Sequence, residues 1–586
     1  MKDFLKYTLA TIVGLFIASA LCFFFFIFSL VSSIGTSQQE TPIENHSILK
    51  INLKGSISDE VVEDPLAIFE SGSLESGVRL IDLVTAIKDA ANDKRIDGIY
   101  LDCGEISAEF ATLEELRSAL DEFKQSGKFI VAYADTYTQG SYYVASVAQK
   151  VLINPEGILE WQGLASMPIF YKELLEKVGV KVQLFRVGTY KSAVEPFTLT
   201  SMSPANREMV ESMIQSIWKN IVGSVSASRN IPEDSLQTLA DKYIALTQAS
   251  DYVDNKLVDQ LAYYDEVRDI LRRNCGDSKV TFTSPQQMMA AHKPSKASDK
   301  IAIYFAEGDI VSEATNSLRS RSPEIASAVV VNDLDKLAND NNIKAVVIRV
   351  NSGGGSAYAS EQLWRAVENL KKTKKVIVSM GGFAASGGYY MSCGADKIIA
   401  DPTTLTGSIG IFGLIPDYTE LMENKLGLHY DAVRTNKGSD LISSTGRVSS
   451  GGAEAMQAYI DRGYQLFLSR VAQGRKMTTE QVDSIAQGRV WTGEQALEIG
   501  LVDKLGNLDT AIKEAAQLAN LKDYGVVIMQ KKASLLDALK AVKEESYLER
   551  DVKALLGDNY KALMLVKNLR RQDQVQARIP FFVNFQ

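Results

Sequence analysis

Gly98-Ile-Tyr-Leu-Asp102 is a short apolar run, and it recurs in kind 247 residues later as Ala345-Val-Val-Ile-Arg349. The same offset lays Leu116, Leu120 and Phe123 over Leu363, Val367 and Leu370. It lays Phe129-Ile-Val-Ala-Tyr133 over Val376-Ile-Val-Ser-Met380, and Tyr142-Tyr143 over Tyr389-Tyr390 without a gap. Upstream, Ile51-Asn-Leu-Lys-Gly55 matches Tyr304-Phe-Ala-Glu-Gly308 with a slip of a few residues. This period is far longer than the ~20–50 residues of solenoid repeats. It marks a duplicated domain.

Within each copy, strand and helix signals alternate. Leu113, Leu116, Leu120 and Phe123 fall on one helical face. Thr112-x-x-Glu115 has the form of a capping box at its start, and Gly127 closes the helix. A buried strand follows from Phe129. The β-α-β order implies parallel pairing with helices on the sheet faces, an α/β fold. The chain then divides into a first repeat over 46–284, a polar linker over 285–300 containing Pro294, Ser295 and Ser298, and a second repeat over 301–545. Residues 546–586 match neither copy, and Asp551 to Asn568 has the pattern of an amphipathic helix, giving a helical C-terminal tail.

The N-terminal segment 1–45 is different in kind. No charged residue occurs from Tyr7 to Gln39, and the apolar stretch over about 9–34 includes Phe23-Phe24-Phe25-Phe26. That exceeds the ~20 residues needed to cross a bilayer. A signal-peptide core is shorter, ~7–15 residues, and precedes a small-residue cleavage site. No clear A-x-A site follows here, so an uncleaved anchor is expected, with a cleaved signal as the alternative. Lys2 and Lys6 precede the span, while Glu40 and Glu44 follow it. The excess of positive charge on the near side places the N-terminus in the cytoplasm and the body across the membrane.

Composition narrows the function. Hydrophobic residues at 46% and charged residues at 23% exclude wholesale disorder. The net charge of −9 lacks the basic surplus of a nucleic-acid binder. Cys22, Cys103, Cys275 and Cys393 form no C-x-x-C pair, and there is no H-E-x-x-H. Neither metal nor organic cofactor is expected.

Duplication makes one copy a control for the other. The second-copy strand runs into Arg349-Val-Asn-Ser-Gly-Gly-Gly-Ser356, whereas the first copy has Asp102-Cys-Gly-Glu-Ile-Ser-Ala-Glu109. Successive glycines allow close backbone approach to a ligand, and their N–H groups are suited to holding an oxyanion. A flexible strand-to-helix turn is the alternative. Ser386 lies in Gly381-Gly-Phe-Ala-Ala-Ser-Gly-Gly-Tyr-Tyr390, where small neighbours leave its hydroxyl open to a peptide. The aligned first-copy residue is Gln139, which is no nucleophile; a small residue at a tight helix start is the alternative for Ser386. A serine nucleophile needs a base. His46 follows the apolar span, His292 lies in the linker, and His429 sits in a strand-like stretch, so they form no Ser-His-Asp arrangement. Lysine is the other option. Lys191 lies in Arg186-Val-Gly-Thr-Tyr-Lys-Ser-Ala-Val-Glu-Pro-Phe197, and Lys437 lies near the corresponding place in the second copy.

Four strings in this order resemble the signal peptide peptidase A family in its long, tandem-repeat bacterial form. They are Tyr190-Lys-Ser-Ala-Val-Glu-Pro-Phe197, Arg349-Val-Asn-Ser352, Met380-Gly-Gly-Phe-Ala-Ala-Ser-Gly-Gly-Tyr-Tyr390 and Leu405-Thr-Gly-Ser-Ile-Gly-Ile-Phe-Gly413. The resemblance implies two crotonase-like, Clp-protease-like domains and a Ser–Lys dyad with Ser386 as nucleophile and Lys191 as general base. It further implies an oxyanion hole at Gly354 and Gly387, and Ser408 as a partner of the lysine amine. The implied substrates are remnant signal peptides and other hydrophobic peptides in the cytoplasmic membrane, the implied assembly a homotetramer. One departure is visible: Gly353 stands where the family usually has proline. A non-catalytic membrane scaffold and a crotonase-type acyl-CoA enzyme remain as alternative readings.

Overall fold

The computed structural model describes residues 6–7, 11, 14–19, 42–61, 77–276, 280–314, 323–529 and 575–579. The expected membrane span lies mostly outside these residues, and the helix expected over 551–568 wholly so. Among the described residues, no helix is long and apolar enough to cross a membrane.

The first repeat contains β1 (Ser47–Ser58), α1 (Leu80–Asn92), β2 (Ile96–Ser107), α2 (Phe110–Lys124), β3 (Phe129–Tyr137), α3 (Gln139–Ala145), β4 (Lys150–Leu159), β5 (Lys181–Arg186) and α4 (Pro204–Arg229). Strands β1 to β4 lie in the order β1-β2-β3-β4 and pair in parallel. The second repeat contains β6 (Lys300–Glu307), α5 (Ser327–Asn339), β7 (Ile343–Ser352), β8 (Gly354–Ser356), α6 (Ala357–Leu370), β9 (Lys375–Ala385), α7 (Gly387–Ser392), β10 (Leu405–Gly407), β11 (Phe412–Asp417) and α8 (Ser450–Arg475). There β6, β7 and β9 form the corresponding parallel core, with β10 on the far side of β9. Val346, Val347 and Ile348 are fully buried, as expected of central strands covered on both faces.

The duplication extends to individual bonds. Tyr142 Oη donates to the Leu257 carbonyl at 2.7 Å, and Tyr389 Oη donates to the Leu501 carbonyl at 2.8 Å. Arg229 pairs with Asp259 as Arg475 pairs with Asp503, at 2.8 and 2.6 Å. Each of those aspartates also accepts a strand amide, from Val151 and Ile398 respectively. Helices α4 and α8 are both 26 residues long. Each starts at a serine cap, Ser203 or Ser449, whose oxygen accepts an amide of the first turn, a contact worth about 1 kcal/mol.

Several local expectations are corrected. Helix α2 starts at Phe110, so Thr112 and Glu115 lie inside it and form no capping box. Both are buried, and Glu115 is held by Arg349 and the Leu508 amide of the other repeat, a tertiary contact that overrides the local motif. The polar stretch after Ser284 includes the helix Pro285–Ala291, started by a Ser284/Gln287 capping box. It packs on α1, with Met288 buried. Leu428 to Asp431 is exposed loop, not strand. The C-terminal tail contributes a strand, β12 (Val575–Arg578).

A third sheet fastens the repeats together. It runs Glu324–Ala326, Asp309–Val311, β8, β12, β11, β5. Strand β5 of the first repeat pairs antiparallel with β11 of the second, Phe412 opposite Arg186 through Asp417 opposite Lys181. A second fastening is ionic. Arg349 is fully buried and reaches Asp59 Oδ2 at 2.7 Å and Glu115 Oε2 at 3.0 Å, both in the first repeat. It also donates to Ser379 Oγ at 3.0 Å. Arg349→Ala leaves two buried carboxylates unpaired, so unfolding free energy should fall by about 3–5 kcal/mol. Arg349→Lys should recover little, because one ammonium cannot span both partners. Denaturant titration of the two variants measures this.

Candidate active site

Ser386 joins the end of β9 to the start of α7. Its backbone sits at φ 56°, ψ −111°, a region that non-glycine residues seldom occupy and that is retained mostly at functional turns. The turn is fixed by the Ser386 amide, which donates to the Gly407 carbonyl at 2.8 Å, and by the Ser386 carbonyl, which accepts from the Tyr390 amide at 2.8 Å. Ser408 also has a positive φ, 48°, and its amide donates to the Arg489 carbonyl at 2.7 Å.

Lys191 arrives from the first repeat. Strand β5 aligns on β11, and the chain continues past Gly188 to place Tyr190 N–H on the Gln487 carbonyl at 2.8 Å. The lysine then enters between two glycines of the second repeat. A Cβ at Gly410 would lie 3.2 Å from Lys191 Cδ, and one at Gly488 would lie 2.6–2.7 Å from Lys191 N, Cα and Cβ. Gly488 also has φ +81°, which disfavours any side chain. Gly488→Ala should therefore push Lys191 out of place and lower kcat/KM about 100-fold with the fold retained. Peptide hydrolysis set beside a thermal melt separates this from unfolding.

Lys191 Nζ lies 2.8 Å from Ser386 Oγ, 3.0 Å from the Ser408 carbonyl oxygen and 3.0 Å from Ser408 Oγ. All three residues are fully buried. Burial pushes the Lys191 amine well below the ordinary lysine value, because desolvation penalises the charged form. A neutral amine has two N–H donors and one lone pair. The Ser408 carbonyl and Oγ take the two donors, which leaves the lone pair for the Ser386 hydroxyl proton. Such a pair can activate serine for attack on a carbonyl.

The glycine loop stands beside the serine. An ideal Cβ on Gly387 would lie 3.1 Å from Gly354 Cα, and one on Gly354 would lie 2.8 Å from the Gly387 nitrogen. The two backbones thus approach more closely than a side chain at either position would allow. The Gly354 N–H here donates to Ser352 Oγ at 3.1 Å, a contact it must give up to hold an oxyanion.

The first repeat has closed its own counterpart of this site. Gln139 is buried, and its Oε1 accepts the amides of Gln162 and Gly163, both at 3.1 Å. Its Nε2 donates to the Gly163 carbonyl at 3.1 Å. Where the second repeat has Ser386, the first has a structural glutamine.

Ser386, Lys191, Ser408, Gly354 and Gly387 are brought together in one chain; the histidines and Lys437 are elsewhere. His46 and His292 are exposed and pair with Asp97 and Asp89. His429 and Lys437 lie on exposed loops. Among the described residues, no group of His, Cys, Asp and Glu is arranged to hold a metal ion. The sequence reading missed Gly410 and Gly488. Gly410 lies within the string Leu405 to Gly413 that carries the resemblance, Gly488 is a lone loop glycine, and the purpose of both appears only when the other repeat docks.

A model of peptidase family S49 matches residues 122–276 and again 368–522, one match in each repeat. A Clp protease model matches residues 304–404. "Protease 4" of Salmonella typhi is 38% identical over 88% of this chain and 86% of its own length. "Protease 4" of Haemophilus influenzae is 35% identical over 84% of this chain and 82% of its own length. "Serine protease SPPA, chloroplastic" of Arabidopsis thaliana is 30% identical over 88% of this chain and 76% of its own length. The chain is a serine peptidase with Clp-protease-like α/β domains in tandem, and it belongs to peptidase family S49.

Proposed function

We propose that this peptidase is a membrane-anchored endopeptidase that degrades remnant signal peptides, with Ser386 as nucleophile and Lys191 as its general base. The observation that carries the catalytic assignment is the 2.8 Å approach of Lys191 Nζ to Ser386 Oγ. Neutral Lys191 takes the hydroxyl proton as Oγ attacks the scissile carbonyl. The Gly354 and Gly387 amides receive the oxyanion. The lysine returns its proton to the leaving amine as the C–N bond breaks, and an ester on Ser386 remains. A water, deprotonated by Lys191, then attacks the ester, and the proton passes back to Oγ as the acid leaves. Ser408 holds the amine in line through both cycles.

The substrate assignment rests on two supports. "Putative signal peptide peptidase SppA" of Enterococcus faecium is 31% identical over 43% of this chain and 73% of its own length. The apolar N-terminal stretch would hold the active site near membrane-embedded peptides. Exposed apolar side chains at Met167, Leu174, Val178, Leu426, Leu428 and Val433 favour a homo-oligomer, proposed as a tetramer. The test is cleavage by full-length enzyme in detergent. Synthetic signal peptides should be cut internally, and folded soluble proteins left intact. Equal attack on polar, unstructured peptides would remove the substrate assignment. Protease added outside spheroplasts should digest the body beyond Glu40; full protection until lysis would reverse the proposed orientation.

A further inference from the structure

The catalytic groups are fully buried, and an element that walls their cleft comes from the end of the chain. Strand β12 lies between β8, which carries the glycine loop, and β11. It runs antiparallel to both: Gly354, Gly355 and Ser356 face Arg578, Ala577 and Gln576, while Phe412 and Gly413 face Gln576 and Val575. Peptides commonly bind to proteins by adding a strand to an open sheet edge. An extended substrate laid past the glycine loop would use the same edges of β8 and β11 that β12 now occupies. The Ala577 carbonyl oxygen lies 2.0 Å from where a Cβ on Gly354 would stand, and the Gly387 nitrogen is 2.8 Å from that same point. The tail backbone therefore passes directly by the two amides assigned to the oxyanion.

We propose that β12 is a resident plug: the chain's own C-terminal strand fills the peptide slot, and hydrolysis requires it to leave. The proposal rests on the reading of Ser386 and Lys191 as the peptidase site. Three contacts seat the plug. Arg578 Nη2 pairs with Asp309 Oδ2 at 2.8 Å. Ile579 N–H donates to the Gly353 carbonyl at 2.8 Å. A Cβ on Gly353 would lie 3.0 Å from both Ile579 Cγ1 and Cδ1, so the glycine at the position where proline is usual makes room for this tail. The Gly354 amide is turned to Ser352 Oγ, so the tail is seated as an inhibitor and not as a scissile peptide. Among the described residues, its hold comprises one four-residue strand, the Ile579 bond and an ion pair whose aspartate is 53% exposed. A tethered segment nevertheless competes at an effective concentration near ~1 mM, which keeps a weak seat filled.

The test compares the full-length enzyme with an Ala577→Pro/Arg578→Glu variant, which loses one strand N–H and reverses the charge facing Asp309. A plug seated nine-tenths of the time predicts about a tenfold fall in KM for a fluorogenic peptide, with kcat unchanged. A synthetic peptide of residues 571–583 should inhibit the variant competitively, and a scrambled one should not. In the wild type, a peptidyl inhibitor bound in the cleft should speed hydrogen exchange at the amides of 575–579. Unchanged KM, no inhibition by the peptide, or exchange at 575–579 that ignores the inhibitor would each overturn the plug. So would purified enzyme cut beside Ala577. Labelling by a fluorophosphonate that survives Ser386→Ala in the variant background would instead sink the reading of the site itself.

Discussion

Arginine at position 191 is expected to leave the peptidase as inactive as alanine there, with kcat lowered roughly 10^4-fold. Lys191→Arg keeps the charge and most of the length, but a guanidinium stays protonated at any working pH and has no lone pair to offer. Were Lys191 only a counter-charge for substrate, arginine would keep appreciable activity. The environment argues against that role: Lys191 meets two hydroxyls and a carbonyl, and burial alone accounts for its lowered pKa. Initial rates on one fluorogenic peptide for wild type, Lys191→Arg and Lys191→Ala decide between the two roles. An arginine variant within a few-fold of wild type would remove Lys191 as base.

Ser386→Ala should lower kcat by about 10^5-fold or more, since it removes the oxygen proposed to attack the substrate. Its fold should persist, because alanine differs only by the hydroxyl and the turn is held by backbone bonds to Gly407 and Tyr390. A thermal midpoint within a few degrees of wild type, measured beside the lost turnover, checks both halves of this expectation.

The repeats were legible in sequence because each strand and helix face is a local apolar pattern, and two copies reinforce one another. Ser386 stood out because the aligned copy has Gln139 there. Local patterns gave less where the two copies meet. Thr112 and Glu115 looked like a capping box, but the buried Arg349 claims Glu115 across the interface. The offset carries Lys191 only to Gly438, in an exposed loop, while β5 itself pairs with a strand of the other repeat and not within its own. That cross-pairing delivers Lys191 to Ser386. No single-copy periodicity encodes it, and the lysine was singled out only through resemblance. The tail strand was hidden for a related reason: four residues of Val575-Gln-Ala-Arg578 form a strand here only because β8 and β11 offer them two edges.

The neutral lysine is the central claim, and the pH dependence of Ser386 acylation tests it most directly. Only deprotonated Lys191 accepts the serine proton, so the single-turnover rate with a fluorophosphonate should rise with pH as the amine loses its proton. Since burial depresses that pKa, the midpoint should fall well below the 10.5 of an ordinary lysine, and Lys191→Arg should show no such rise. A midpoint at the ordinary lysine value, or the wild-type rise persisting in Lys191→Arg, would contradict the account.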